Sequence, residues 1–481
     1  MELVTKKAMK CIQEADVIVY DNLIDISLLN YASLNTELIY AGKEAANHYL
    51  SQGSIIELLM DKAREGKYVV RLKGGDPYLF GRGSEEALAL KEAGISYEIV
   101  SGVTSSIAVP AYAGIPVTDR RFVSSCHIIT AHREDEAGID FENISKLEGT
   151  LVFMMGLAKL HHIVQGLTLH GKAFGTPVAV LSDGSRYNRR KCVGTLEDIE
   201  EKVKEAKLLP PAIIVVGEVV SLSNELDNFL ERYSDKKLFR KKILLTGTRY
   251  ICNKIKAALA NEGCDIDEIS IIESVPIESD FYNNIEKYIE SHDYLVFSSA
   301  NGIRVFFEKL KELHNVDLRK LSNIKFAVIG KGSAQTLRNY GYIADFVPSS
   351  FSNKDLAVEL CKQLKGEKLL LLRAREASAE LVEELEANKV EYTDVPLYET
   401  FRDYRRTFDI KRLIKNYDYV VVASSITAHT LCEMVEDKAL LEGRVVSIGP
   451  VTTGTCKMLG VEPLMSAREY SVDGIVRVLL Q

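Results

Sequence analysis

Arg71-Leu-Lys-Gly-Gly-Asp-Pro-Tyr-Leu-Phe-Gly-Arg-Gly83 follows the run Tyr68-Val69-Val70 and precedes a helical pattern over 84–93. A strand therefore runs into a glycine-rich turn and then a helix. In an open α/β sheet, that corner at the carboxyl end of a strand is where small ligands sit. Gly74 and Gly75 carry no side chain, so a ligand can reach the backbone. Asp76 can accept hydrogen bonds from hydroxyl or ammonium groups, and Pro77 stiffens the turn. For Gly-Gly-Asp-Pro alone, a tight turn with no ligand is an equal alternative. Four glycines, two arginines and a lysine within one short stretch favour a ligand.

Around this corner, apolar runs alternate with amphipathic helical stretches. Such alternation predicts an α/β fold of parallel sheets covered by helices. In the first half, strands are expected over 17–20, 69–72, 127–130, 151–154, 178–181 and 212–216, and 37–40 is strand-like. Helices are expected over 54–65 and 196–206, the second with a cap from Thr195 and Asp198. A break near 116–121 divides this half into lobes of about 1–117 and 118–233. The charged stretch 221–242 reads as a solvated helix and a linker over 234–242.

The second half, 243–481, repeats itself with an offset of domain size. Ile243-Leu-Leu-Thr-Gly-Thr-Arg249 parallels Leu369-Leu-Leu-Leu-Arg-Ala-Arg375, and 264–275 parallels 390–400. The runs 292–302 and 326–333 parallel 417–427 and 445–452. Two similar lobes follow, 243–275 with 400–481 and 276–399, with Pro276 and Pro396 as the crossing points.

The chain has 481 residues, a formal net charge of −8 and eight cysteines without a Cys-x-x-Cys pair. The length suits three or four domains or lobes. The acidic balance argues against a nucleic-acid partner. Scattered cysteines read as reduced thiols without a metal centre, and no signal or membrane-length run stands out, so a cytoplasmic enzyme with no membrane partner is expected.

Asp21 ends the strand 17–20, where side chains enter a ligand crevice; an N-cap is the plainer alternative. Lys43, alone, reads as a surface lysine. In the second half, Ser298-Ser-Ala-Asn-Gly302, Gly330-Lys-Gly-Ser333, Ser424-Ser-Ile-Thr427 and Gly449-Pro-Val-Thr452 each follow a strand and open a helix. Free N–H groups there bind anions. Ordinary capping explains any one of them, but repetition favours a cleft for a polycarboxylate, with Ser299, Ser333, Ser425 and Thr452 as substrate contacts.

The 71–83 string resembles the central motif of the tetrapyrrole methylases, closest to the uroporphyrinogen-III C-methyltransferases. Ala15-Asp-Val-Ile-Val-Tyr-Asp-Asn-Leu23, Tyr40-Ala-Gly-Lys43, Ser101-Gly-Val-Thr-Ser-Ser106, Ala111-Tyr-Ala-Gly-Ile-Pro-Val-Thr118, Val152-Phe-Met-Met-Gly156 and Ala212-Ile-Ile-Val-Val-Gly-Glu-Val-Val220 continue the resemblance in order. It implies Asp21 as proton acceptor, Lys43 as proton donor and S-adenosylmethionine as cofactor. The implied cofactor contacts are Gly74, Gly75, Asp76, Leu79, Thr104, Ser105, Met155 and Gly184. The implied substrate is a tetrapyrrole polycarboxylate, met by Arg71 and Arg82 and by a basic mouth that includes Lys73, Arg120, Arg121 and Arg133. A homodimer through the first half is also implied. The family opens with a strand and a Gly-x-Gly-Pro-Gly-Asp-Pro loop. Residues 1–8 stand where that loop would end, so the resemblance implies either a start further upstream or a methylase domain lacking its usual first strand.

The second half resembles uroporphyrinogen-III synthase, most strongly through Val395-Pro-Leu-Tyr-Glu-Thr400 and the two Ile-Gly-x-x-Ser/Thr turns. That resemblance implies ring closure of hydroxymethylbilane without a cofactor, with Tyr398 assisting departure of the hydroxyl. Tyr398 as a packed strand residue is the alternative. Together the halves imply a bifunctional enzyme leading to precorrin-2. The rival readings are an active synthase joined to a methylase impaired or turned to another substrate, and a non-catalytic two-lobed binding protein.

Overall fold

A computed structural model of the chain describes residues 2–42, 50–131, 138–313, 317–350 and 352–481. It contains two compact units, one of Met1–Ile269, Arg405–Ala423 and Met434–Gln481, the other of Ser270–Tyr404 and Ser424–Glu433.

In the first unit, β1 (Val17–Tyr20) lies between β2 (Glu37–Tyr40) and β3 (Val69–Leu72), all parallel. All four β1 side chains are buried, as an inner parallel strand with two covered faces requires. Tyr20 is in register with both Tyr40 and Leu72. The chain therefore leaves all three strands at one edge, where Asp21, Ala41 and Lys73 emerge together.

A second sheet has the order β4-β5-β8-β6-β7. It is built from β4 (Cys126–Thr130), β5 (Thr150–Met154), β6 (Pro177–Ser182), β7 (Arg190–Thr195) and β8 (Ala212–Val216). Only β4–β5 is parallel; β5–β8, β6–β8 and β6–β7 are antiparallel. This corrects the expectation of parallel sheets. The connection from β6 to β7, residues 183–189, is too short for a parallel crossover, which needs a dozen residues or more. The apolar runs are covered on both faces. Leu151, Phe153, Val178, Val180, Ile214 and Val216 share one core. Val152, Ala179, Leu181, Ile213 and Val215 share another, with Val109 and Ala113 of the Ser105–Tyr112 helix. Each such Val, Leu, Ile or Phe side chain contributes roughly 1.5–3 kcal/mol.

The second half supplies β9 (Lys242–Leu245), β10 (Asp265–Glu268), β11 (Ile272–Pro276), β12 (Tyr294–Phe297), β13 (Lys325–Val328), β14 (Leu369–Ala374), β15 (Tyr392–Arg402), β16 (Tyr419–Val422), β17 (Val445–Ser447) and β18 (Met465–Ser466). One sheet runs β10-β9-β16-β17-β18, the other β11-β15-β14-β12-β13. The repeat is visible in these orders: β9, β10, β16 and β17 occupy the places of β14, β15, β12 and β13.

Pro276 and Pro396 do not mark crossings. Pro276 ends β11, an edge strand that pairs antiparallel with β15, and Pro396 lies inside β15 opposite Arg373. An edge and a bulge both tolerate a missing N–H. The chain changes unit instead at 269–270, 404–405, 423–424 and 433–434.

The charged stretch 221–242 is likewise no solvated linker. Phe229, Tyr233 and Leu238 are buried, and Leu238 joins the core of Ile243, Leu245 and Ile255. The charges lie outside a sparse apolar stripe.

Candidate active sites

At the carboxyl edge of the first sheet, Asp21 is fixed from two sides. Its Oδ1 accepts from the Leu23 N–H at 3.0 Å and its Oδ2 from Arg71 Nη2 at 3.3 Å. Arg71 Nη1 also donates to the carbonyls of Val19 and Leu72, at 3.3 and 3.0 Å. Arg71 Nε lies 3.5 Å from Glu86 Oε1, which also accepts from Lys73 Nζ at 2.9 Å and Gln52 Nε2 at 3.1 Å. Glu86 is buried, and a buried carboxylate requires counter-charge. Arg71 and Lys73 thus hold acids in place. Glu86 was not picked out because nothing local separates it from Glu85. Lys43 and Arg133 lie outside the described residues.

The glycine corner meets a second loop. Gly75 has φ +74°, a conformation that glycine adopts at little cost. A Cβ at Gly102 would stand 2.1 Å from the Gly75 carbonyl oxygen. Asp76 joins the two loops: Oδ1 accepts from the Tyr78 N–H at 2.9 Å and Oδ2 from the Gly102 N–H at 3.1 Å. Thr104 caps the Ser105–Tyr112 helix, accepting from the Ser106 N–H. That helix packs on the second sheet through Val109 and Ala113, and Gly184 lies against Val109, 2.2 Å from its Cγ1 were a Cβ present. One helix therefore ties Gly74–Asp76, Thr104, Ser105 and Gly184 together. Met155, just past β5, has φ +55° and is 52% exposed. Non-glycine residues in that region cost roughly 1–3 kcal/mol and cluster at functional sites. Leu79 is half-buried beside the corner. Arg82 donates through Nε and Nη2 to Glu85, both at 2.8 Å, and remains substantially exposed.

In the second unit the structure brings together two residues singled out separately. Ser299 Oγ and Tyr398 Oη are 2.8 Å apart, and Ser299 Oγ also accepts from the Gly302 N–H at the start of the Ala300–Glu312 helix. In β15 the register skips Leu397, so Leu397 and Tyr398 are both buried where alternation would expose one. A bulge re-aims a side chain in this way. Burial pushes the Tyr398 phenol above its ordinary pKa, and the Ser299 hydrogen bond opposes that; the phenol keeps its proton at neutral pH. Ser333 is buried in the Lys331–Arg338 helix, and Ser425 begins the Ser425–Met434 helix. Thr452, buried in the Pro450–Met458 helix, belongs to the first unit.

Two family models divide the chain: Tetrapyrrole (Corrin/Porphyrin) Methylases over 1–200 and Uroporphyrinogen-III synthase HemD over 253–477. The porphyrin biosynthesis protein HemD of Ruminiclostridium josui is 34% identical over 100% of this chain and 95% of its own length. The chain belongs to both families. Its methylase half is 49% identical to the S-adenosyl-L-methionine-dependent uroporphyrinogen III methyltransferase of Methanosarcina barkeri, over 47% of this chain and 89% of that protein. A solved uroporphyrin-III C-methyl transferase from Thermus thermophilus, complexed with S-adenyl homocysteine, is 34% identical, with a TM-score of 0.40 over 46% of this chain and 94% of that one.

Proposed function

We propose that the synthase half closes hydroxymethylbilane to uroporphyrinogen III, inverting its last pyrrole, and that the methylase half methylates this product at C2 and C7 to give precorrin-2. The observation that carries the reading is the fusion itself: the Ruminiclostridium relative is collinear with both halves. One half makes what the other consumes. We place both activities in the cytoplasm; among the described residues no helix is long and apolar enough to cross a membrane.

The methyl donor fits the first unit. Gly74, Gly75 and Gly102 leave backbone accessible, Thr104 and Ser105 supply hydroxyls, and Met155 and Leu79 supply apolar surface. When bound, S-adenosylmethionine supplies an electrophilic methyl group. The protein orients the reactants, which accounts for much of the rate. Asp21 takes the proton that the macrocycle loses after carbon attack, and Lys43 returns one. Arg71 holds Asp21 in orientation through its Nη2. Arg82 and the exposed Arg120 and Arg121 meet substrate carboxylates. The methylase half also carries the proposed self-association.

In the second unit, Tyr398 donates to the departing hydroxyl, with Ser299 orienting its phenol. Ser333 and Ser425 hold the substrate's carboxylates. Tyr398→Phe should lower ring closure by about a hundredfold, the lower end of general-acid effects, and leave methyl transfer from supplied uroporphyrinogen III unchanged. Steady-state assays of each reaction on the same preparation test this.

Gly102→Ala should separate the two loops and break the Asp76–Gly102 bond. A hydrogen bond to a charged group contributes about 1.5–3 kcal/mol, so S-adenosylmethionine affinity should fall by about tenfold to a hundredfold. Calorimetric titration measures this directly, and ring closure serves as the control.

The reading as a whole is tested by giving the protein hydroxymethylbilane without a methyl donor and separating the oxidised porphyrin isomers. The type III isomer is expected. Type I alone, the product of unassisted closure, contradicts the synthase assignment.

A further inference from the structure

The strand that carries Asp21 is held by residues from the synthase half within the first unit. Tyr20, immediately before Asp21, donates from its hydroxyl to Asp409 Oδ1 at 3.0 Å. Asn22, immediately after it, accepts through Oδ1 from Arg412 Nη1. Asp409 and Arg412 lie on one short helix, Thr407–Leu413. Arg412 Nη2 is 3.5 Å from Asp409 Oδ1, and Arg406 Nε donates to Asp409 Oδ2 at 3.1 Å. Arg406 reaches further into the methylase half, donating to Asn30 Oδ1 at 2.6 Å and to the Ile26 carbonyl at 3.2 Å.

Aromatic packing repeats the same connection. The Arg412 guanidinium sits 4.7 Å from the centre of the Tyr40 ring, and Tyr40 packs on Tyr20 and Phe408 at 5.6 and 4.9 Å. Tyr40 ends β2, the strand that leads toward Lys43. Burial, reinforced by Asp409, pushes the Tyr20 phenol well above its ordinary pKa, so Tyr20 remains a donor throughout the working range. Asp21, Asn22 and Arg412 line one small cavity of about 60 Å³ with Arg186, Asp267 and Tyr417.

We infer that Arg412 and Asp409 are positioning residues for methyl transfer: they fix Asn22 and Tyr20, the two neighbours of Asp21. The inference rests on the proposed role of Asp21 as proton acceptor. An acid clamped on both sides cannot drift from the reacting carbon. Misplacement of a catalytic group by about 1 Å can cost a hundredfold in rate. The synthase half thus contributes to the methylase reaction without touching its substrate.

The test compares Arg412→Met, Asn22→Ala, their double variant and Asp21→Asn in the full chain. Methyl transfer from S-adenosylmethionine to supplied uroporphyrinogen III and ring closure are measured separately. Arg412→Met should lower kcat for methyl transfer by roughly tenfold to a hundredfold, with KM values within about twofold and ring closure unchanged. Asn22→Ala should match it, and the double variant should be no worse than the poorer single one, because both break the same contact. Parent-like kcat in Arg412→Met overturns the inference. So does an additive double variant, or an equal fall in ring closure, which marks Arg412 as a structural residue. If Asp21→Asn methylates normally, the role of Asp21 falls and the positioning role with it. If Asp21→Asn is inactive and Arg412→Met is normal, the positioning role alone falls.

Discussion

Asp21→Asn is expected to lower methyl transfer by at least about a hundredfold, at the low end of what a positioned acid–base group contributes. Asparagine keeps the shape of the side chain, and its Oδ1 can still accept from the Leu23 N–H, now 3.0 Å from Asp21. What it loses is basicity: an amide does not take a proton near neutral pH. It also loses the ion pair with Arg71, but Arg71 retains the carbonyls of Val19 and Leu72 and the Glu86 carboxylate. The local fold should therefore persist, and ring closure, carried out by other residues, should stay within about twofold of the parent. Rates of methyl transfer at saturating S-adenosylmethionine and uroporphyrinogen III, set beside ring closure, decide the matter. Retention of more than a third or so of the methylation rate contradicts the role of Asp21.

Arg406→Met should destabilise the first unit by about 3–5 kcal/mol, the usual cost of removing one partner from a buried ion pair. The side chains of Arg406 and Asp409 are 1% and 0% exposed. Methionine fills much of the volume but leaves Asp409 with only the Tyr20 hydroxyl and the more distant Arg412. It also takes a donor from Asn30 and from the Ile26 carbonyl. The chain contains no tryptophan, so urea unfolding is best followed by far-ultraviolet circular dichroism. Adding Asp409→Leu and Tyr20→Phe removes the stranded polar groups and should recover at least half of the loss, since an apolar replacement of a whole buried pair is often neutral. A loss below about 1 kcal/mol for Arg406→Met means that water reaches the pair.

The two kinds of sequence signal differ in how well they survive folding. Uninterrupted apolar runs located β1 and β8 at the expected residues, because a strand buried on both faces must be apolar throughout. Strand β7 was missed: Arg190-Lys-Cys-Val-Gly-Thr195 mixes charge and glycine, as an edge strand can. The internal repeat was legible because both copies bury the same strand order. The pairing of Arg71 and Lys73 with Glu86 was not legible, because a lysine or arginine near a ligand corner looks the same whether it faces outward or meets a buried acid. The Arg406–Asp409–Tyr20 network was invisible because its members are polar residues from distant segments. Only the fold brings them together. The stretch 221–242 was misread for a related reason: Phe229, Tyr233 and Leu238 are few among many charges, and their partners lie elsewhere.

The central claim is that one chain performs both steps in sequence. The most direct test gives the purified protein hydroxymethylbilane together with S-adenosylmethionine carrying an isotopically labelled methyl group, and determines the mass and isomer type of the tetrapyrrole formed. The account predicts a type III macrocycle carrying two labelled methyl groups. Unlabelled uroporphyrinogen III, or a type I macrocycle whether labelled or not, would contradict it.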